Sequence, residues 1–267
     1  PNDLAAQGLS TVVKSEGVGA NLQDHLDVSA IFHMTQPLSA YAAQKGLKSI
    51  GVGLRYLFNK TGPGADQFLQ AGAFLKTREG LDAPDIQLHM VNAILRDHGN
   101  YKAKADGFTL HACQLRPESR GTIGLRSDDP FDTPMIDPNY LATETDRQVM
   151  RDALKMTREI GLADGFKPYR GEEMWPGKDV QSDADYDAFI RENGETIYHP
   201  VGTVAMGVGD HAPLDAQCRV KGVEGLRVVD ASAMPTLIGG NTNAPTIMLA
   251  EKVADIMRGR APLPREE

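Results

Sequence analysis

The sequence predicts an α/β fold, α+β overall, in which a sheet-and-helix region is inserted into a second region. Short, partly alternating apolar runs in the first half are spaced as strands of an antiparallel sheet. Apolar residues at helical spacing flank these runs, and the C-terminal part has the pattern of a strand, a loop of small residues and a helix. The order of the patterns predicts two intertwined domains within 267 residues.

The first predicted elements follow a glycine-punctuated loop over 17–25. The alternating run at 28–32 predicts a strand. Apolar spacing over 43–58 predicts a helix that ends at the glycine-proline turn of 61–64. Three further strands of the same antiparallel sheet are predicted at 74–76, 85–92 and 107–114.

The middle of the chain continues with a strand and two helices. The strand is predicted over 120–126, before the turn-forming run Asp128-Asp129-Pro130. Apolar residues recurring near one face predict a helix over 143–161. A second helix is predicted over 183–193, with Ser182 as its N-cap. These helices would flank the predicted sheet.

Charge and residue spacing argue against several classes of protein. The chain has 28 Lys and Arg against 36 Asp and Glu, and its formal charge of −8 is the wrong sign for a protein that binds nucleic acid. No apolar run approaches the roughly 20 residues that span a bilayer. Cys113 and Cys218 allow at most one disulfide and form no CxxC pair, which favours free thiols in a reducing, cytoplasmic setting. The histidines show no metal-ligand spacing, so no metal site is expected.

The C-terminal pattern predicts a helix terminus that can bind an anion. A strand is predicted over 226–230 and a helix over about 243–258. Pro245 suits the first turn of that helix, where a missing N–H is harmless, and Asn243 would lie at or next to the N-cap. The free N–H groups of this turn carry a partial positive charge. Together with the two glycines before it, this turn could cradle an electron-rich group.

His199 is the candidate proton acceptor. Its imidazole can take a proton near neutral pH, and Pro200 restrains the adjacent backbone. A single His-Pro pair is more often structural than catalytic, and an Asn at a helix start is commonly only a cap. His199 and Asn243 therefore become informative through the motifs around them.

Several long motifs occur in this chain in a fixed order. Together they resemble the glucose-methanol-choline (GMC) family of flavin-dependent oxidoreductases, and in particular its choline dehydrogenase-like alcohol dehydrogenases. The resemblance covers essentially the whole chain. The matching segments are GVGANLQDH at 17–25, RPESRG at 116–121, SDDP at 127–130, NYL at 139–141, GLRVVDAS at 225–232 and NTNAP at 241–245.

The resemblance implies roles for individual residues. His199 falls on the family's catalytic histidine, which accepts the hydroxyl proton while the alcohol carbon delivers hydride to flavin N5. Asn243 falls on the second active-site position, where its amide would hold the substrate oxygen. The residues implied to bind FAD are Asp230 and Ala231 toward the ribityl-pyrophosphate, Asn241 within the closing motif, and Ala244, Pro245 and Thr246 against the pyrimidine end of the flavin.

The resemblance also implies a domain organisation. Residues 1–30 and 196–261 would be the C-terminal share of a Rossmann-like FAD-binding domain, 31–195 an inserted substrate domain of antiparallel sheet flanked by helices, and 262–267 a tail. The GxGxxG turn with which the family holds pyrophosphate is absent from this sequence. We therefore expect FAD binding to require an N-terminal half, supplied as a separate chain, a cleaved piece or a segment outside this sequence.

The implied reaction is oxidation of a primary alcohol to the aldehyde, with electrons passed to a quinone or another acceptor. Gln70 stands where we expect an acid in choline-specific relatives, and aromatic residues form only 6% of the chain, which favours a fairly apolar alcohol. An O2-using oxidase, a hydroxynitrile lyase-type member and a fragment inactive without its N-terminal half are the alternatives. A quinone acceptor would suit peripheral association at the inner face of a membrane, although the sequence shows no evident amphipathic anchor.

Overall fold

The computed structural model describes residues 2–67, 69–101, 103–261 and 264, so the predicted tail at 262–267 lies outside the described residues apart from residue 264. The chain divides into two compact units. Unit 1 comprises Pro1–His25, Arg116–Thr143 and Tyr198–Glu267, and unit 2 comprises Leu26–Leu115 and Glu144–Ile197. In chain order the helices and strands are α1 (Asn2–Ala6), β1 (Leu26–Met34), α2 (Ala40–Ala43), α3 (Gly46–Asn59), β2 (Leu69–Leu75), β3 (Ile86–Val91), β4 (Gly107–Gln114), β5 (Thr122–Gly124), β6 (Met135–Asp137), α4 (Glu144–Leu162), β7 (Arg170–Trp175), α5 (Asp183–Asn193), β8 (Glu195–Thr196) and α6 (Asn243–Met257).

Unit 2 is built on an antiparallel sheet with the strand order β2-β3-β4-β1-β7, and β8 pairs with the start of β1. Phe32 of β1 lies opposite Phe108 of β4, and their stacked rings have centroids 5.3 Å apart. Phe108 also stacks on Phe166, at 5.1 Å. This aromatic stack buries Phe32 and Phe108 completely and anchors the centre of the sheet.

Helix α4 covers the sheet of unit 2. Val149 and Ala153 are four residues apart and therefore lie on one face of the helix. They pack with Ile86, Leu88 and Ala112 of strands β3 and β4. The apolar spacing that predicted this helix is thus the spacing of its buried face.

The predicted helices and most predicted strands are confirmed. The strands expected at 28–32, 74–76, 85–92 and 107–114 correspond to β1 to β4, of which β2 begins earlier, at Leu69. The helices expected at 143–161, 183–193 and 243–258 are α4, α5 and α6, and Ser182 caps α5 through a reciprocal capping box with Asp185. The helix expected at 43–58 is α3, separated from α2 by a break after Ala43.

The strand expected at 226–230 is wrong. Among the described residues, this segment makes a single bridge, between Arg227 and Arg219. Val228 and Val229 pack against a core cluster that includes Leu214. Their hydrophobicity therefore reflects packing of an irregular segment and not a sheet ladder.

Residues 116–143 belong to unit 1, whereas the sequence assigned them to the inserted domain. The strand expected at 120–126 forms as β5, but it pairs with β6 in a separate two-stranded sheet. Gly121 bridges Leu22, and the Ile123 N–H donates to the Gly19 carbonyl at 2.7 Å. These bonds tie the hairpin to the glycine-punctuated loop.

Both cysteines are buried and free. No helix in the described part of the chain is long and apolar enough to cross a membrane.

Gly161→Ala should destabilise unit 2 by about 1–3 kcal/mol, although alanine favours helices. Gly161 lies in α4, where an added Cβ would overlap the buried ring of Phe32. Gly165→Ala is the matched control, since a Cβ there meets no atom within 4 Å. Urea unfolding measures both variants, and equal stability of Gly161→Ala and the unmodified protein would contradict the packing described for α4.

Candidate active site

Segment 21–25, with the sequence Asn-Leu-Gln-Asp-His, draws together distant parts of unit 1. Gln23 and Val201 exchange backbone hydrogen bonds of 3.0 and 2.8 Å. The buried Gln23 amide donates to the Pro235 carbonyl and accepts the Leu237 N–H, both at 3.2 Å. The chain around Val201 and the loop at 235–237 are therefore fixed to the same segment.

Asp24 is a buried carboxylate that accepts hydrogen bonds from distant parts of unit 1. Its Oδ1 accepts the backbone N–H groups of His25 at 2.9 Å and His199 at 3.0 Å. Its Oδ2 accepts the Tyr140 hydroxyl at 2.5 Å. Hydrogen bonds to a charged acceptor are the ones that offset the cost of burying it. Asp24 thereby sets the backbone position of both histidines.

The rings of His25 and His199 meet edge to face. Their Nδ1 atoms are 3.0 Å apart, and the ring planes cross at 88°. Nε2 of His25 lies 3.1 Å from the Ile238 carbonyl oxygen, which can only accept, so this nitrogen carries the hydrogen. With both rings neutral, Nδ1 of His25 is an acceptor and Nδ1–H of His199 donates to it. The geometry therefore assigns the lone pair of His199 to Nε2.

Burial controls the protonation of His199. The residue is 9% exposed, and burial lowers the pKa of its imidazole, while the nearby Asp24 charge acts in the opposite direction and raises it. The lowered pKa keeps the ring neutral at pH 7. A neutral imidazole with its lone pair on Nε2 is equipped to accept a proton.

The residues expected to bind the cofactor lie in two places in unit 1. Asp230 accepts the Ser232 N–H at 2.8 Å and so caps the 3₁₀ turn Ala231–Ala233. Asn241 is exposed in the loop that leads to α6.

Asn243 is the first residue of α6, and it is exposed. The N-cap, Thr242, makes no side-chain capping bond, and Pro245 lies in the first turn as predicted. Ala244 is exposed, whereas Thr246 donates both its N–H and its hydroxyl to the Thr242 carbonyl. The helix terminus is therefore not closed by a side chain of its N-cap.

His25, the partner of His199, is connected to the loop that precedes α6. The Ile238 carbonyl holds His25, and the chain runs on from Ile238 to α6. Among the hydrogen bonds of the described residues, none joins Asn243 directly to His199. The structure thus brings His199 together with His25, and the role expected of Asn243 stays a prediction.

Among the contributors to this site, the sequence analysis assigned no role to Asp24, His25, Tyr140 and Arg116. All four lie in motif segments, which was the available signal, but their contacts depend on the fold. A Cβ on Gly239 would lie 2.7 Å from Nη2 of Arg116, so the glycine allows the guanidinium to approach the loop before α6.

No group of three or more His, Cys, Asp or Glu is placed to hold a metal ion in the part of the chain that the structure describes.

Comparisons with known proteins match both the sequence and the fold. A family model described as GMC oxidoreductase matches residues 117–250. Oxygen-dependent choline dehydrogenase of Xanthomonas euvesicatoria pv. vesicatoria (strain 85-10) is 46% identical over 265 residues, which cover 99% of this chain and 48% of that protein. Mitochondrial choline dehydrogenase of Homo sapiens is 44% identical over 264 residues, with 98% and 44% covered. The chain spans about half the length of the curated relatives it matches.

Two solved structures share this fold. Pyridoxine 4-oxidase from Mesorbium loti has a TM-score of 0.81 and 28% identity, and the match covers 98% of this chain and 47% of that one. Formate oxidase of Aspergillus oryzae RIB40 has a TM-score of 0.89 at 24% identity, with 97% and 50% covered. At that identity, the second comparison speaks for the fold alone.

Asp24→Asn should lower the pKa of His199 further. The change removes the negative charge that stabilises the imidazolium, while the amide oxygen can still accept the two backbone N–H groups. An NMR titration of the histidine ring protons measures the pKa. Asp210→Asn, at an exposed acid of unit 1, is the matched control. An unchanged or higher pKa in Asp24→Asn would contradict the electrostatic role given to Asp24.

Proposed function

The chain belongs to the GMC oxidoreductase family, and on that premise we propose that it carries the catalytic base of an FAD-dependent alcohol dehydrogenase. The observation that supports this most directly is the buried, neutral His199, whose Nε2 holds the lone pair. Such a group can take the hydroxyl proton of an alcohol whose carbon gives up hydride. The product is the aldehyde.

The start of α6 and the turn at Asp230 have features that suit a flavin nucleotide. The helix begins without a side-chain cap, and its first-turn N–H groups favour negative charge. When bound, the flavin supplies the hydride acceptor. The proposed FAD-binding residues are Asp230, Ala231, Asn241, Ala244, Pro245 and Thr246.

Four residues of unit 1 prepare the proton transfer. His25 holds the ring of His199 through the bond between their Nδ1 atoms, which keeps Nε2 free of hydrogen. Nε2 takes the hydroxyl proton, and the negative charge of Asp24 then stabilises the imidazolium that forms. The amide of Asn243 is proposed to orient the substrate oxygen.

The FAD site is proposed to be completed by a half that carries the GxGxxG turn. The curated relatives are about twice as long as this chain, which supports a second half of similar size. Absorbance of flavin co-purifying with the 267-residue polypeptide alone would overturn this requirement.

The substrate is proposed to be a primary alcohol, with electrons passed to a quinone or another acceptor. Gln70, a neutral side chain at the position where we expect an acid in choline-specific relatives, supports a fairly apolar alcohol. The names of the relatives support choline as a second candidate. The ratio of kcat/KM for choline to that for a medium-chain alcohol decides between them.

The class of reaction is tested by adding alcohol to the enzyme without oxygen. Bleaching of the flavin separates an alcohol-oxidising enzyme from a lyase, and rapid recolouring by O2 would identify an oxidase.

His199→Ala should lower kcat by about 10²–10⁴-fold and leave FAD bound, because it removes the base and no proposed cofactor contact. Asn243→Ala should cost about 10²–10³-fold, as expected for loss of a donor to the substrate oxygen. Turnover and flavin absorbance are measured on the intact enzyme. His211→Ala is the matched control, since the His211 side chain is 90% exposed. Unchanged turnover of His199→Ala, or loss of its FAD, would contradict the assignment.

A further inference from the structure

Helix α3 (Gly46–Asn59) presents an apolar stripe to solvent. The helix contains no buried residue. At 100° per residue, five large apolar side chains fall within an arc of roughly 100°. Each is at least half exposed: Leu47 85%, Ile50 58%, Leu54 51%, Leu57 61% and Phe58 77%. A stripe of this kind normally faces a core, so its exposure indicates a surface that meets another partner.

Along the sequence, the charged side chains around this stripe are all Lys or Arg, although Asp106 lines the same cavity as Lys45, Leu47 and Lys48. Between Asp27 and Asp66 the sequence contains no acid, although the whole chain carries a net charge of −8. The cations on and beside the helix are Lys45, Lys48, Arg55 and Lys60, and all four are exposed.

In the part of the chain that the structure describes, none of the contacts that these cations make neutralises their charge. Lys45 and Lys60 lie over the rings of Tyr41 and Tyr56, and Arg55 donates to the hydroxyl of Thr61. At 100° per residue, Lys48 and Arg55 border one edge of the apolar stripe. A positive border beside an apolar stripe complements a surface that is negative at its boundary and apolar below.

We propose that α3 binds the surface of an anionic lipid bilayer, with its apolar stripe at the level of the acyl boundary. A helix of 14 residues is about 21 Å long, which is shorter than the roughly 30 Å hydrocarbon core, so it lies in the interface and does not span. Lys48 and Arg55 would meet the lipid headgroups, where each cation contributes to binding.

Charge complementarity separates this occupant from a second copy of the chain. Symmetric dimers pair the same patch on both subunits, and two copies of α3 packed antiparallel would place Lys48 and Arg55 of one copy beside those of the other. An anionic bilayer instead matches both the apolar stripe and its positive border.

This inference rests on the proposed function only where a membrane quinone is the electron acceptor. Lipid binding is measured without turnover, and turnover is measured with a water-soluble acceptor. Failure of lipid binding with normal turnover therefore counts against the helix alone, and loss of alcohol oxidation with normal lipid binding counts against the proposed function alone.

The test is co-sedimentation of the FAD-loaded enzyme with vesicles of phosphatidylcholine, alone or mixed with phosphatidylglycerol. We expect binding to the mixed vesicles and at least about tenfold weaker binding to the neutral ones. Phe58→Glu and Lys48→Glu/Arg55→Glu should each reduce binding to the mixed vesicles by about tenfold or more. Phe131→Glu is the matched control, since Phe131 is 95% exposed elsewhere in the chain, and it should bind normally.

Three outcomes would overturn the proposal. The first is absence of vesicle binding by the enzyme, which would mean that another part of the protein or a second copy covers α3. The second is equal binding of Phe58→Glu and Phe131→Glu. The third is equal binding to neutral and anionic vesicles. Flavin content and turnover of every variant check that the exposed substitutions leave the fold intact.

Discussion

The carboxylate of Asp24 is the constraint on which the site depends. A buried charge must be satisfied by donors, and Asp24 takes them from the backbone of His25, the backbone of His199 and the hydroxyl of Tyr140. These donors come from three separate stretches of unit 1. One side chain thus fixes where the two histidines lie and contributes the negative charge that opposes the effect of burial on His199.

The contact between the histidines converts this placement into chemistry. The Ile238 carbonyl dictates which nitrogen of His25 carries hydrogen, and His25 in turn dictates the tautomer of His199. The Ile238 carbonyl and His25 thereby prepare His199 as a proton acceptor, and neither of them needs to touch the substrate. The loop from Ile238 to α6 links His25, the partner of this acceptor, to the helix terminus proposed for the flavin.

The sequence predicted those parts of the molecule whose pattern is local. Helix α5 follows from Ser182 and its capping box, and α4 from the spacing of Val149 and Ala153. The same reasoning wrongly predicted a strand at 226–230, because Val228 and Val229 pack against a core cluster without forming a sheet ladder. His199 was found through its motif, whereas its bonds to Asp24 and His25 join residues more than 170 positions apart, a distance that no periodicity reports. The exposure of α3 was equally hidden, because an amphipathic pattern does not say what covers its apolar face.

The most direct measurement of the central claim is the tautomer of His199 in protein labelled with ¹⁵N-histidine, at a pH where the ring is neutral. We expect hydrogen on Nδ1 of His199, a lone pair on Nε2, and a scalar coupling between the two Nδ1 atoms across their hydrogen bond. A neutral His199 with its hydrogen on Nε2 would contradict the account, because the nitrogen that should receive the substrate proton would already carry one.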